Sequence, residues 1–131
     1  MFERIEDAKE FLKRSAYISE LNIELTQLSD DHAQGRIPFD EKYCNPFGTM
    51  HGGCLYSLAD TITGTLAARA GGDVVTVEGS LSFLEPAADT KYVYCDAVLI
   101  KCGRHMVTVE AKITDDAGKQ LDRGTYLFFR K

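Results

Sequence analysis

The spacing of apolar positions predicts an N-terminal helix followed by two short strands. Apolar side chains recur at helical spacing among charged residues at Ile5, Ala8, Phe11, Leu12 and Ala16. From Leu21 the pattern changes to alternation, and Ser29-Asp30-Asp31 is a turn-prone stretch within it. We therefore expect a short packing helix and then a β-hairpin, or two short strands, as far as Phe39.

A longer apolar stripe predicts the main helix of the protein. It follows the i, i+3, i+4, i+7 spacing from Leu55 to Leu66 and continues to Ala70, where Gly71-Gly72 ends it. Four stretches rich in β-branched or aromatic residues follow, separated by turn signals: Val74 to Leu84, Tyr92 to Lys101, Met106 to Thr114 and Gln120 to Arg130. Four strands after one central helix predict an α+β fold with an antiparallel sheet wrapped on that helix.

Composition restricts the setting in which the protein works. Its 131 residues and 44% hydrophobic share predict one domain, residues 1–131, without repeats or linkers. The net charge of −5 argues against broad nucleic-acid binding. No stretch reaches the roughly 18 apolar residues of a membrane span, and the charged N-terminus lacks the apolar region of a secretion signal. We expect a cytoplasmic protein that binds neither nucleic acid nor membrane.

Cysteine and histidine spacing makes disulfides and metal ligation poor hypotheses. The four cysteines show no C-x-x-C spacing, and we expect reduced, mostly buried thiols: Cys44, Cys54, Cys95 and Cys102. The three histidines are far apart and have no partner at ligand spacing, so no metal site is expected. Ser57 lacks the Gly-x-Ser-x-Gly context of a serine hydrolase.

The most informative segment runs from Asn45 to Asp60 and joins a polar loop, a Gly-Gly helix start and a carboxylate. Gly52 and Gly53 are poor helix formers placed where the apolar run begins, which suggests that bare backbone N–H groups approach a ligand. A helix N-terminus of this kind binds negative charge. The oxyanion that develops on an attacked carbonyl is one such charge, so the segment predicts acyl transfer.

Two motifs carry a resemblance to a known family. They are Asn45-x-x-Gly48-x-x-His51-Gly52-Gly53 with Asp60 downstream, and Val75-Thr76-Val77 leading to Phe83-Leu84-Glu85-Pro86-Ala87. Together they resemble the hotdog-fold acyl-CoA thioesterases, in the phenylacetate-pathway (PaaI-like) branch with its human counterparts, over nearly the full length. The resemblance implies a long helix inside a curved antiparallel sheet, homodimers that often form homotetramers, and hydrolysis of an acyl-CoA without metal or organic cofactor.

The resemblance also implies roles for individual residues. Asp60 would be the nucleophile or the general base that orients water, and the Gly52 N–H would be the oxyanion donor, with Gly53 as second choice. His51 and Asn45 would hold the carbonyl, the water or the leaving sulfur. The alternatives are a solvated or capping carboxylate, a turn that simply requires glycine, and a structural histidine.

Further residues would assist catalysis or bind substrate. Thr76 corresponds to a small hydroxyl residue that helps the carboxylate hold water, although a strand-forming residue is nearly as good an interpretation. Lys101, Gly103 and Arg104 occupy a turn at which the family commonly contacts the CoA phosphates, but charged turns are often only solvated. Aromatic and methionine side chains could line the acyl pocket or belong to the core: Phe47, Met50 and Tyr56.

Helix geometry predicts a site shared between two subunits. Nine residues separate His51 from Asp60, which places them about 13 Å apart along the axis and on opposite faces. Two antiparallel helices across a two-fold axis could bring each Asp60 to the other subunit's Gly52. The competing function is a non-catalytic acyl-CoA-binding or sensing hotdog protein.

Overall fold

The computed structural model describes all 131 residues and contains three α-helices and six strands. The helices are α1 (Ile5–Leu12), α2 (Ala16–Glu20) and α3 (Gly52–Gly71). The strands are β1 (Glu24–Leu28), β2 (His32–Pro38), β3 (Val74–Phe83), β4 (Tyr92–Cys102), β5 (Met106–Asp115) and β6 (Gln120–Arg130). The α+β class and the hotdog arrangement predicted from the sequence are confirmed.

All six strands form one antiparallel sheet in the order β1-β2-β4-β5-β6-β3. Strand β3 follows α3 in the chain, yet it pairs with the last strand, from Val74 opposite Arg130 to Phe83 opposite Asp122. One sheet edge is therefore β3, and the other is β1. The long strands can curve around α3 because each turns one face of alternating small or apolar residues toward it.

The core lies between α3 and the concave face of the sheet. Ten of the twenty α3 residues are buried, including the predicted stripe of Leu55, Leu58, Ile62 and Leu66. Strand β4 contributes Val93, Cys95 and Ala97 at every second position. The face of α3 that packs on the sheet is largely apolar, so a carboxylate that is half-buried on this helix needs a separate explanation.

Two details differ from the sequence predictions. Ala16 is not part of the first helix, because the Ser15 hydroxyl accepts a hydrogen bond from the Ile18 N–H at 3.2 Å and starts α2 as an N-cap. The cysteines are all free, as expected, but Cys102 is exposed at the end of β4.

Candidate active site

The loop before α3 is shaped by the Asn45 side chain. Its Oδ1 accepts hydrogen bonds from the Phe47 N–H at 2.9 Å and the Thr49 N–H at 3.3 Å, while its Nδ2 donates to Thr49 Oγ1 at 2.9 Å. The Met50 N–H donates to the Ala87 carbonyl at 3.1 Å and so ties this loop to the segment after β3. The two sequence motifs therefore meet at the N-terminal end of α3.

The first turn of α3 leaves one backbone donor open. His51 is the N-cap: its Nδ1 accepts from the Gly53 N–H at 2.8 Å, and its carbonyl accepts from Cys54 and Leu55. The Gly52 N–H has no acceptor within the chain. Of the two glycines considered from the sequence, Gly53 is thus occupied by the histidine and Gly52 is free to bind a ligand.

A cavity of about 230 Å³ opens at this helix end. It is lined by parts of both sequence motifs, one further residue of α3 and one residue of β6: Asn45, Thr49, Met50, Gly52, Leu55, Phe83, Leu84, Glu85, Pro86, Ala87 and Asp122. A side chain on Gly52 would meet the Phe83 ring at 3.2 Å, so glycine permits this close approach. We call this space the helix-start cavity.

Three predicted acyl-pocket residues have different positions. Met50 is buried and lines the helix-start cavity. Phe47 is 92% exposed at the tip of its loop and does not line the cavity within this chain. Tyr56 lies along α3, where its hydroxyl donates to the Gly79 carbonyl at 3.2 Å.

Asp60 occupies a separate environment in the middle of α3. It is half-buried, and the Thr76 hydroxyl on β3 donates to its Oδ1 at 2.9 Å. Burial raises the pKa of Asp60, and the hydrogen bond from Thr76 opposes that shift. The carboxylate and its threonine line a second cavity of about 460 Å³, bordered by the N-terminal helices and the start of β3.

A single chain does not bring the predicted catalytic residues together. The cavity that contains Gly52 and the cavity that contains Asp60 share no lining residue. Eight residues of α3 separate these two groups, which corresponds to about 12 Å along the axis.

The predicted CoA-binding turn lies at the opposite end of α3. Arg130 donates to the carbonyl of Gly103 at 2.8 Å and to that of Gly71 at 2.9 Å, which holds the β4–β5 turn against the last residue of the helix. Lys101 and Arg104 are exposed there. Neither forms a salt bridge within the chain, so both are free to meet an anion.

The free edge of the sheet carries several exposed apolar side chains. On β3, Val75, Val77 and Phe83 are 45%, 56% and 54% exposed, and Phe129 on the adjacent β6 is 43% exposed. A long apolar edge with unpaired backbone groups is a surface that favours pairing with another chain.

Asp122 is the residue of this region that sequence reasoning missed. It is fully buried in the wall of the helix-start cavity. In the sequence it is visible only as an acidic residue within a strand-forming stretch. The alternation of a strand allows such a residue to point toward solvent, so the sequence does not indicate that it is buried.

Residues 47–121, more than half of the chain, match the thioesterase superfamily, and the chain belongs to that family. The "Proofreading thioesterase EntH" of Cronobacter turicensis is 40% identical over 68 residues, which cover half of each protein. The E. coli PaaI protein from the phenylacetic acid degradation operon aligns with a TM-score of 0.90 at 20% identity, over 96% of this chain and 91% of its own. A Streptococcus mutans UA159 protein bound to acetyl CoA aligns with a TM-score of 0.80 at 23% identity, over 84% and 89% of the two chains.

Family membership agrees with the geometry at the start of α3. Thioester hydrolysis requires stabilisation of an oxyanion, and the chain presents one open N–H at a helix start.

None of the helices has both the length and the apolar character needed to cross a membrane.

Proposed function

We propose that the protein hydrolyses acyl-CoA thioesters to a free acid and CoA. The observation that carries this proposal is the unpaired Gly52 N–H at the N-terminal end of a twenty-residue helix, opening into a cavity. Membership of the thioesterase superfamily supports the reaction class. The acetyl CoA bound to the Streptococcus mutans relative supports CoA as the carrier.

The Gly52 N–H would donate a hydrogen bond to the thioester carbonyl oxygen and stabilise the negative charge that develops on it. Donors that point at this oxygen before reaction cost no reorganisation, and the positive end of the α3 dipole adds to their effect. His51 would support this geometry by holding the Gly53 N–H, which keeps the first turn intact. With Nδ1 used as an acceptor, the neutral imidazole carries its proton on Nε2 and can donate to the substrate.

Asp60 would start the reaction in one of two ways. As a general base it removes a proton from water, the hydroxide adds to the carbonyl carbon, the carbon–sulfur bond breaks, and the CoA thiolate takes up the proton that Asp60 removed. As a nucleophile it forms a mixed anhydride and releases CoA, and water then hydrolyses the anhydride. In both routes its raised pKa makes the carboxylate a stronger base, and Thr76 holds it in position.

A second copy of the chain would complete the site. Two β3 edges paired antiparallel would cover their exposed apolar side chains and place the two α3 helices antiparallel. Each Asp60 then faces the partner subunit's Gly52, which gives two equivalent sites per homodimer. Val98 and Ile100 on the outer sheet face are 46% and 56% exposed, and their burial would favour a homotetramer.

This dimer also gives the β4–β5 turn a role. Gly71, to which the turn is tied, lies eleven residues past Asp60, about 16 Å farther along the helix axis. Lys101, Gly103 and Arg104 would therefore lie beyond the reacting carbon, where the phosphates of an extended CoA can reach them. The free cysteines fit a reducing compartment, and we propose a cytoplasmic location.

The test is CoA release measured with a thiol-reactive dye across short, long and aryl acyl-CoAs. We expect turnover by the wild type and a loss of at least about 10²-fold in Asp60→Asn, because the amide keeps the volume but not the basicity. Asp89→Asn, in the exposed loop after β3, is the matched control with unchanged turnover. Binding of acyl-CoA without CoA release would instead identify an acyl-CoA-binding protein.

A further inference from the structure

Asp122 is a carboxyl group without a partner inside the helix-start cavity. Its exposure is 0%, and neither Oδ1 nor Oδ2 has a hydrogen-bond partner. On the sheet it lies between Phe83 of β3 and Ile113 of β5, both of which are its register partners. The same cavity contains the open Gly52 N–H.

The surroundings of Asp122 provide no compensating cation. Among the side chains that line the cavity, the other charged one is Glu85, which is exposed and pairs with Lys119 at 3.8 Å. By contrast Asp96, on the outer face of β4, accepts from Gln34 at 3.0 Å and contacts His32 at 3.2 Å. Burial of an unpaired carboxyl is costly, and such groups concentrate at functional sites.

The expected position of the thioester would bring the acyl group close to Asp122. A thioester whose carbonyl oxygen accepts from the Gly52 N–H would extend its acyl group along the helix-start cavity, toward the β6 residue in its wall, Asp122. Resting on the thioesterase function proposed above, we propose that Asp122 recognises the end of the acyl group, so that preferred substrates carry a hydrogen-bond donor there. A hydroxyl or an ammonium group fits this acceptor, whereas like charge disfavours an acyl group that ends in a carboxylate when Asp122 is ionised.

A buried hydrogen-bond acceptor discriminates strongly between acyl groups with and without a donor at their end. An acyl group with a terminal methyl leaves Asp122 unpaired in the complex, while a donor satisfies it. Burial raises the pKa of Asp122 to about 7, so near neutral pH the carboxyl can either hydrogen-bond a hydroxyl or pair with an ammonium group.

The test compares acyl-CoAs that differ only at the far end: methyl, hydroxyl, ammonium or carboxylate on chains of six and eight carbons. For the wild type at pH 7.5 we expect kcat/KM to be at least about tenfold higher with a donor than with a methyl end, and lowest with a carboxylate. A larger effect for the ammonium than for the hydroxyl would indicate charge pairing, and the reverse order would indicate a neutral hydrogen bond. Both orders support the proposal.

Two substitutions separate hydrogen bonding from charge. Asp122→Asn should keep the preference for hydroxyl over methyl, lose any advantage of ammonium over hydroxyl and admit the carboxylate. Asp122→Leu should reverse the order and favour the methyl end. Asp96→Asn, on the opposite face of the sheet, is the control with an unchanged order, and the melting temperature of each variant checks its fold.

The outcomes that overturn this inference differ from those that overturn the proposed function. Equal kcat/KM for all four ends at both lengths, or the same order in Asp122→Leu as in the wild type, would refute acyl recognition by Asp122 and leave the thioesterase function intact. A wild type that releases CoA from no acyl-CoA would refute the proposed function and this inference with it.

Discussion

The buried Asp122 should make the stability of the protein depend on pH in a direction that an ordinary carboxylate would not produce. Its pKa is about 7 in the folded chain against 3.8 for the free group, because burial disfavours the charged form. Between these values the folded state binds one proton more than the unfolded state, so the free energy of unfolding falls as pH rises. The stabilisation is complete below about pH 4 and lost above about pH 7.

The magnitude follows from the difference of about 3 pKa units. At 1.36 kcal/mol per unit this amounts to about 4 kcal/mol. Asp122→Asn has no group that titrates at this position, so its free energy of unfolding should not show this loss. The difference between the variant and the wild type should therefore rise by about this amount from pH 4 to pH 8. Any constant cost of the buried amide shifts the whole difference curve and not its slope.

The assay is urea unfolding at several pH values and one fixed protein concentration, because the proposed dimer would make apparent stability depend on concentration. Asp116→Asn is a control of opposite sign. Hydrogen bonds from the Tyr94 hydroxyl and the Lys91 N–H hold the pKa of Asp116 below its usual range, so its stabilisation is lost as pH falls. A flat difference curve for Asp122→Asn would refute the reasoning.

Three further predictions concern catalysis, substrate binding and packing. Thr76→Val should lower kcat about tenfold and move the acid limb of the pH–rate profile to higher pH, because the Thr76 hydroxyl lowers the pKa of Asp60. Thr76→Ser should restore both kcat and the position of the limb. An acid limb that does not move in Thr76→Val would contradict this role. Neutralising Lys101 and Arg104 together should raise KM for acyl-CoA with kcat nearly unchanged, and equal losses with a truncated pantetheine thioester would exclude binding of the CoA end. Gly79→Ala should cost about 1–3 kcal/mol of stability, measured by urea unfolding, because a side chain there would clash with Tyr126; wild-type stability would contradict it.

Elements with strong periodicity were predicted well from the sequence. Helix α3 has a long apolar stripe and terminates at glycines, and the four later strands are separated by turn residues, so local pattern determines both. The strand order was not accessible in this way. Strand β3 follows α3 directly but pairs with β6, which depends on contacts between residues far apart in the chain.

The position of the candidate site residues was predictable where they are close to one another in the chain. Residues 45–52 are consecutive, and the loop bonds of Asn45 and His51 bring them together. Asp122 was missed because strict alternation would bury only one of Leu121 and Asp122. The register between β6 and β5 shifts between Ile113 and Thr114, and Leu121 and Asp122 are both fully buried.

The most direct test of the account is complementation between two inactive variants. Asp60→Ala lacks the carboxylate, and Asn45→Ala lacks the side chain that shapes the loop before Gly52. In a mixed dimer one site has both residues intact and the other has neither. With random pairing half of the dimers are mixed, so co-expression should restore about a quarter of wild-type CoA release. If every ratio of the two variants stays inactive while mass spectrometry detects mixed dimers, the shared active site is contradicted.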